Sequence, residues 1–399
     1  MQVLRKNKIQ LPQPDSDSMA HSERVAAYIR DTIENAGGNI GFAEFMQHAL
    51  YAPDLGYYNA GATKFGRAGD FVTAPEISPL FAKIIARQSA HILLQIDDPG
   101  DRNILEFGAG TGVLAVELLK SLEALESLPS RYRILEVSPD LRQRQADAIR
   151  EALPHYVGKV DWLRELPASH TGVVIANEVL DAMPVERFIK SQGRVLRKTV
   201  AVRGDDFVWS SEPASGTLQR AVQDIEKSLG QPLPEGYESE VSLAVADWLS
   251  NLAACLDLAF VFLIDYGVSR SEYYAPDRNE GWLRCHFRHH AHSNPLINAG
   301  IQDLTAWVDF SRVAGAASDN GLQVAGYVTQ AMFLLHGGLQ QEMLDIADMP
   351  TETQIDLSQQ VKLLTMPGEM GENFKCLGLA KGDIEPPELF ATADRAHTL

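Results

Sequence analysis

Apolar residues in this chain follow two rhythms, and their alternation predicts its fold class. In the first rhythm they recur three and four apart, the spacing of an amphipathic helix. Val25, Ala26, Ile29 and Ile33 follow a Ser22 cap and stop at Gly37-Gly38; Phe42, Phe45, Met46 and Leu50 run up to Pro53. In the second rhythm, short unbroken apolar runs end at glycine or an acid, as buried parallel strands do. These runs predict strands at 103–108, 132–137, 159–163, 171–177 and 258–265. Helices fall between most of them, as parallel crossovers require. The pattern is that of an α/β protein.

Other segments depart from this alternation. Residues 52–80 form a loop rich in glycine and aromatics, and a helix is predicted from about Ser78 to Ile96. From Arg187 to Ser211 polar or basic residues alternate with Val, Leu and Phe, which predicts antiparallel strands turning near Gln192-Gly193 and Gly204-Asp205. A helix is expected over 239–256, an irregular excursion over 268–300, and then a helix at about 301–318. The remaining pattern gives a strand at 322–328, helices at 330–338 and 354–366, and a strand at 374–381.

Composition narrows the partners. With 35 basic and 53 acidic residues the formal charge is -18, which disfavours a nucleic-acid backbone and suits a small molecule or a basic protein. Three scattered cysteines, Cys255, Cys285 and Cys376, fit a reducing cytoplasm better than a disulfide framework. No apolar run reaches membrane-spanning length, and residues 1–17 are too polar for a signal peptide. The expected location is therefore the cytoplasm.

Candidate chemistry gathers where the predicted strands end. The first runs through Ile104, Leu105 and Phe107 into Gly108, Gly110 and Gly112, where a helix begins. A strand, glycine turn and helix make a ligand site at the carboxyl edge of an open sheet. No lysine followed by Ser or Thr closes the turn, so it is no P-loop. A dinucleotide site and an S-adenosylmethionine site both remain. Dinucleotide turns usually read GxGxxG, whereas this one reads GxGxG behind Glu106. A carboxylate there repels a pyrophosphate and suits the ammonium of a methionine moiety. Glu136 ends the second strand, where an acid can accept both ribose hydroxyls of either ligand. Asp161 and Trp162 are candidates for hydrogen bonding to and stacking on adenine, with plain packing of Trp162 as the alternative. The fourth strand opens into Asn177, Glu178 and Asp181, two acids three apart at the ligand edge, with helix capping as the competing role.

Nine stretches in order, among them GYY (56–58), GDFVTAPEIS (69–78), LEFGAGTG (105–112), ANEVLDAMP (176–184), LIDYG (263–267) and QDLTAWVDF (302–310), resemble one family. It is the class I S-adenosylmethionine-dependent methyltransferase family that includes the mitochondrial complex I assembly factor MidA and bacterial relatives. The resemblance implies a seven-stranded Rossmann-like sheet with a reversed final hairpin, a helical N-terminal extension and inserted antiparallel strands. It also implies protein-arginine methylation in the mitochondrial members, on a complex I subunit, and hence a protein substrate.

By position, Gly108, Gly110, Gly112 and Glu106 match the cofactor loop, and Glu136 matches the ribose acid. Asp70 matches a loop that closes over the cofactor; Asn177, Glu178 and Asp181 match the motif facing the methyl group. Ala109 and Thr111 depart from the proline and arginine frequent in mitochondrial members, and a histidine-rich segment at 286–292 resembles bacterial ones more. That segment reads as a loop, with His292 a candidate to orient a carboxylate.

The expected division is an arm at 1–21, N-terminal helices with a cofactor-covering loop at 22–102, and core at 103–186. A β-rich substrate insertion (187–238), more core (239–267), an inserted loop (268–300), the C-terminal core (301–382) and a tail (383–399) follow.

If the acceptor is a guanidinium, it arrives protonated, and carboxylates are the groups to hold it and accept a proton. Glu178 is the first candidate, Asp181 the second and Glu76 a third. Two other classes remain at this stage: an NAD-dependent oxidoreductase, and a non-catalytic assembly factor that keeps a relic cofactor site.

Overall fold

Seven strands carry the core: β1 (Asn103–Phe107), β2 (Arg131–Leu135), β3 (Val160–Leu163), β4 (His170–Asn177), β5 (Leu256–Val268), β6 (Gln323–Thr329) and β7 (Phe374–Lys381). They are seen in a computed structural model that describes residues 11–59, 73–346 and 349–399. The spatial order is β3-β2-β1-β4-β5-β7-β6, and a two-residue strand, Val308–Asp309, pairs beside the end of β5. Neighbours from β3 to β5 are parallel. β7 runs antiparallel to both β5 and β6, the reversed hairpin expected for this sheet.

Strand parity divides the core between the two faces of the sheet. Ile104, Val173, Ile175, Phe260 and Phe262 face one way, against the helices Pro79–Leu93 and Val113–Ala124. Leu105, Val174, Ala176, Val261 and Leu263 face the other, against Ala244–Cys255 and Phe310–Asp319. Burial on both faces explains why these strands read as continuous apolar runs. It also brings the carboxyl ends of β1, β2 and β4 to one edge.

The insertion is a sheet of its own. Glu186–Ser191, Arg194–Arg203 and Asp206–Pro213 form the expected antiparallel ladder with turns at Gln192-Gly193 and Gly204-Asp205. Two further strands complete it: Asn39–Gly41 from the N-terminal region and Glu238–Val241, a segment expected to be helical. The helix there starts only at Ala244. A helix at Gly216–Leu229, capped by Ser215 and closed by Gly230 at φ +66°, buries Leu218, Val222 and Ile225. No helix was expected in this polar, proline-flanked stretch, although Leu218, Ala221, Val222 and Ile225 have helical spacing.

Other expectations change. The first helix spans Ser16–Asn35, and its cap is Asp15, whose Oδ1 accepts from Ser18 N at 2.8 Å, not Ser22. Part of the supposed arm is thus helical. The excursion after β5 contains a hairpin, Leu283–Phe287 with His290–His292, and Asp303–Ala306 joins it as a third strand where a helix was expected. Buried Leu304 and Ala306 flank buried Thr305, so no amphipathic stripe forms there; the helix begins at Phe310, capped by Asp309. In the C-terminal segment, Leu389 and Phe390 are buried, and the Phe390 ring lies 5.6 Å from that of Phe260. No described helix is long and apolar enough to cross a membrane.

Candidate active site

At the end of β1 the chain turns through three glycines in the left-handed region: Gly108 at φ +61°, Gly110 at +52° and Gly112 at +86°. Gly108 N donates to Leu135 O at 3.0 Å, which ties the turn to β2, and the helix Val113–Ala124 starts directly after Gly112. A Cβ built on Gly112 would lie 3.2 Å from Gln145 Cα, so this glycine lets the helix Pro139–Ala152 pack close. A Cβ built on Gly110, which lines the cavity, would meet no atom of the described residues within 4 Å. The backbone at Gly110 is a cradle that any side chain would fill.

Glu136, just past β2, is buried and held on both oxygens: Oε1 accepts from Ser138 N at 2.9 Å and Oε2 from Gln145 Nε2 at 3.2 Å. Burial raises its carboxyl pKa. Gln145 also donates to Gly110 O at 3.0 Å, so one side chain couples the acid to the glycine turn. Trp162 donates from Nε1 to Gln145 Oε1 at 3.0 Å and lies outside the cavity lining. Asp161 is also outside it, 3.6 Å from Arg131 in a half-exposed ion pair. Trp162 thus braces the bridging glutamine, and neither residue is among those that line the cavity. Asp70 lies outside the described residues.

Glu106 points from β1 into the cavity on the side of Tyr132, whose hydroxyl donates to Oε2 at 2.8 Å. Burial pushes its pKa up to about 7. Another part of the lining comes from the chain as it leaves β4 through Asn177 and Glu178. Glu178 has φ +52°, uncommon for a non-glycine residue, and its N donates to Ile264 O at 2.9 Å. Burial first, and then the nearby Asp181 charge, push its pKa up to about 8. Asn177 Nδ2 donates to Glu178 Oε1 at 3.3 Å. Asn177 Oδ1 and Asp181 Oδ1 are buried without a hydrogen-bond partner among the described residues.

Sequence reasoning passed over several residues of this end. Asp265, on β5 one residue beyond the partner of Asn177, accepts from Leu180 N at 2.9 Å and Asp181 N at 3.2 Å through Oδ2. It pins the acidic loop. The next residue, Tyr266, donates its hydroxyl to Asp181 Oδ2. Asp181 and Asp265 are both raised above the usual carboxylate range, burial being the main cause. Asp303 and the tyrosines Tyr51 and Tyr58 close the cavity from outside the core sheet. An acid at the tip of a buried strand, as in Leu263-Ile264-Asp265, is the same signal that singled out Glu136. Asp303 was hidden by the helix expected around it.

The histidine-rich segment is the hairpin named above. His292 Nδ1 accepts from Asn294 N at 3.3 Å, a local turn bond in place of a carboxylate contact, and Arg288 reaches back to Asp15.

The cavity has a volume of about 660 Å³, within the range of small-molecule sites. Six acids line it, Glu76, Glu106, Glu136, Glu178, Asp181 and Asp303, with no Lys, Arg or His among the described lining residues. Such a surface repels a pyrophosphate and attracts cations. Residues 84–328 match the model of a family described as S-adenosyl-L-methionine-dependent methyltransferases. The chain belongs to this family.

A Burkholderia thailandensis protein whose crystal structure contains S-adenosyl-homocysteine is 39% identical, with TM-score 0.91 over 98% of this chain and 100% of that one. Among curated relatives, the Drosophila melanogaster "Protein arginine methyltransferase NDUFAF7 homolog, mitochondrial" is 29% identical over 93% of this chain and 88% of its own. The Danio rerio "Protein arginine methyltransferase NDUFAF7, mitochondrial" is 26% identical over 85% and 83%. The resemblance to MidA-like proteins thus holds, and the cofactor of this methyltransferase is S-adenosyl-L-methionine. The residues present fit that molecule. The open cradle at Gly110 admits a ligand against the backbone, and the lining acids complement its ammonium and sulfonium charges.

Proposed function

We propose that this methyltransferase modifies arginine side chains of a protein substrate. The observation that carries the proposal is a cavity whose charged lining, among the described residues, is acidic throughout, with Glu178, Asp181 and Asp303 supplied by segments other than the glycine turn. The names of the curated relatives, at 29% and 26% identity, point the same way. The formal charge of -18 favours a basic protein partner.

In this reading the glycine turn and Glu136 hold the adenosine part of the cofactor, Glu136 through the ribose hydroxyls, and Glu106 takes the amino group. When bound, S-adenosyl-L-methionine supplies a methyl group on a positively charged sulfur, which departs as a neutral thioether. A guanidinium nitrogen has no free lone pair while its charge is delocalised. Glu178 and Asp181, assisted by Asn177, hold the guanidinium and draw its charge away from the reacting nitrogen. The proton released from that nitrogen goes to a carboxylate, and the methylated product keeps one positive charge. Glu178, whose pKa without ligand is raised to about 8, must be ionised to pair with the guanidinium, and in that form its raised pKa makes it a stronger base than an ordinary carboxylate for the released proton.

The test is transfer from methyl-labelled cofactor into a cell lysate by the purified protein, followed by hydrolysis of the labelled protein. N-methylarginine is the expected product. Label on lysine, on a carboxyl oxygen or only on small molecules would overturn the arginine reading.

Glu106 carries a separate pH prediction. Its carboxyl must be ionised to pair with an ammonium, and its pKa without ligand is about 7. Binding below that pH therefore expels a proton. Affinity for S-adenosylhomocysteine should fall by up to about tenfold per unit as pH drops below 7 and level off above it. Tyr132→Phe removes a hydrogen bond that favours the carboxylate, so the levelling-off point should move to higher pH. Calorimetric titration between pH 5.5 and 8 measures both; a flat profile would remove Glu106 from this role.

A further inference from the structure

We infer that Asp303 is a specificity-determining residue, the carboxylate that takes the second edge of a guanidinium and thereby separates arginine from lysine. The inference rests on the arginine reading above. Asp303 is 2% exposed and begins the strand Asp303–Ala306 of the sheet inserted after β5. Its strand is tied to the acidic loop, because Ala306 N donates to Asp181 O at 2.9 Å. Tyr58 donates its hydroxyl to Asp303 Oδ1 at 2.9 Å. Tyr58 stacks on Tyr51, with centroids 5.4 Å apart and planes at 28°, and Tyr51 donates to Ala182 O at 2.9 Å.

An aromatic pair is thus anchored at one end to Asp303 and at the other to the loop that carries Asp181. All of these side chains line the same cavity as Glu178. A guanidinium is flat and presents N–H donors on more than one edge, whereas an ammonium is a compact point charge. Carboxylates arriving from two separate elements, β4 and the inserted sheet, can engage two edges, and the tyrosine pair offers a surface for a flat cation. A single carboxylate would serve an ammonium as well. The residue-level difference between the two acceptors therefore lies with Asp303.

The probes are ethylguanidinium and ethylammonium, titrated into the full chain loaded with S-adenosylhomocysteine. The wild type should prefer ethylguanidinium. Asp303→Asn, which keeps size and a hydrogen-bond acceptor for Tyr58, should weaken ethylguanidinium on the order of tenfold and erase most of the preference, with S-adenosylhomocysteine affinity kept. In turnover with an arginine-containing substrate, KM should rise more than kcat falls. Tyr58→Phe, a milder change, should shift both probes in the same sense by less. If Asp303→Asn and Tyr58→Phe both keep the wild-type preference, the assignment of Asp303 is overturned while the arginine reading stands. If the wild type itself shows no preference, the arginine reading falls and the assignment falls with it.

Discussion

Glu178→Gln is expected to slow methyl transfer by about 10²–10⁴-fold, the usual loss when a positioned acid–base group is removed. The substitution keeps the shape of the side chain and can still bond Asn177. It removes the negative charge that balances a guanidinium and the site that takes its proton. The local backbone argues for a dedicated role. A glutamate at φ +52° is a strained choice, and strained residues gather at functional sites. The strain is held in place from β5, by Ile264 O on the Glu178 N–H and by Asp265 on the N–H groups of Leu180 and Asp181. Single-turnover transfer from labelled cofactor measures the effect. A variant as fast as the wild type would remove Glu178 from the chemistry.

Gly110→Val should abolish cofactor binding. Gly110 has φ +52°, where a β-branched side chain costs about 1–3 kcal/mol. Its side chain would also take up space in the cavity that Gly110 lines, since a Cβ there meets no atom of the described residues within 4 Å. That same open space means the side chain does not collide with the core. The folded protein should persist with a modestly lower melting temperature and should show no stabilisation by S-adenosylhomocysteine. Undiminished stabilisation by that ligand would contradict the placement of the cradle.

The two substitutions act on different segments lining one cavity, and those segments were not equally legible from the sequence. The glycine end was plain. Gly108, Gly110, Gly112 and Glu136 lie just after short strands, where the run of strand residues stops at glycine or an acid. Asn177, Glu178 and Asp181 were legible for the same reason. The bond from Trp162 to Gln145 was not legible, because it joins a strand to a helix 17 residues away. The rest of the acceptor end depends on pairing between distant segments. Asp303 faces the cavity because Leu283–Phe287 pairs with Asp303–Ala306 and Tyr58 crosses to it. No local periodicity records either contact. The helix at Gly216–Leu229 was missed for a different reason. Its cap, its closing glycine and the spacing of Leu218, Ala221, Val222 and Ile225 are all in the sequence, but they sit in a polar stretch flanked by prolines that reads as a continuation of the insertion.

The central claim is a division of labour, with cofactor held at the glycine end and acceptor handled at the acidic end. Calorimetric titration of S-adenosylhomocysteine into the wild type, Glu178→Gln and Gly110→Val tests it most directly. The wild type and Glu178→Gln should bind with affinities within a few-fold of each other, and Gly110→Val should give no measurable binding. Loss of binding in Glu178→Gln to the same degree as in Gly110→Val, or normal binding by Gly110→Val, would contradict it.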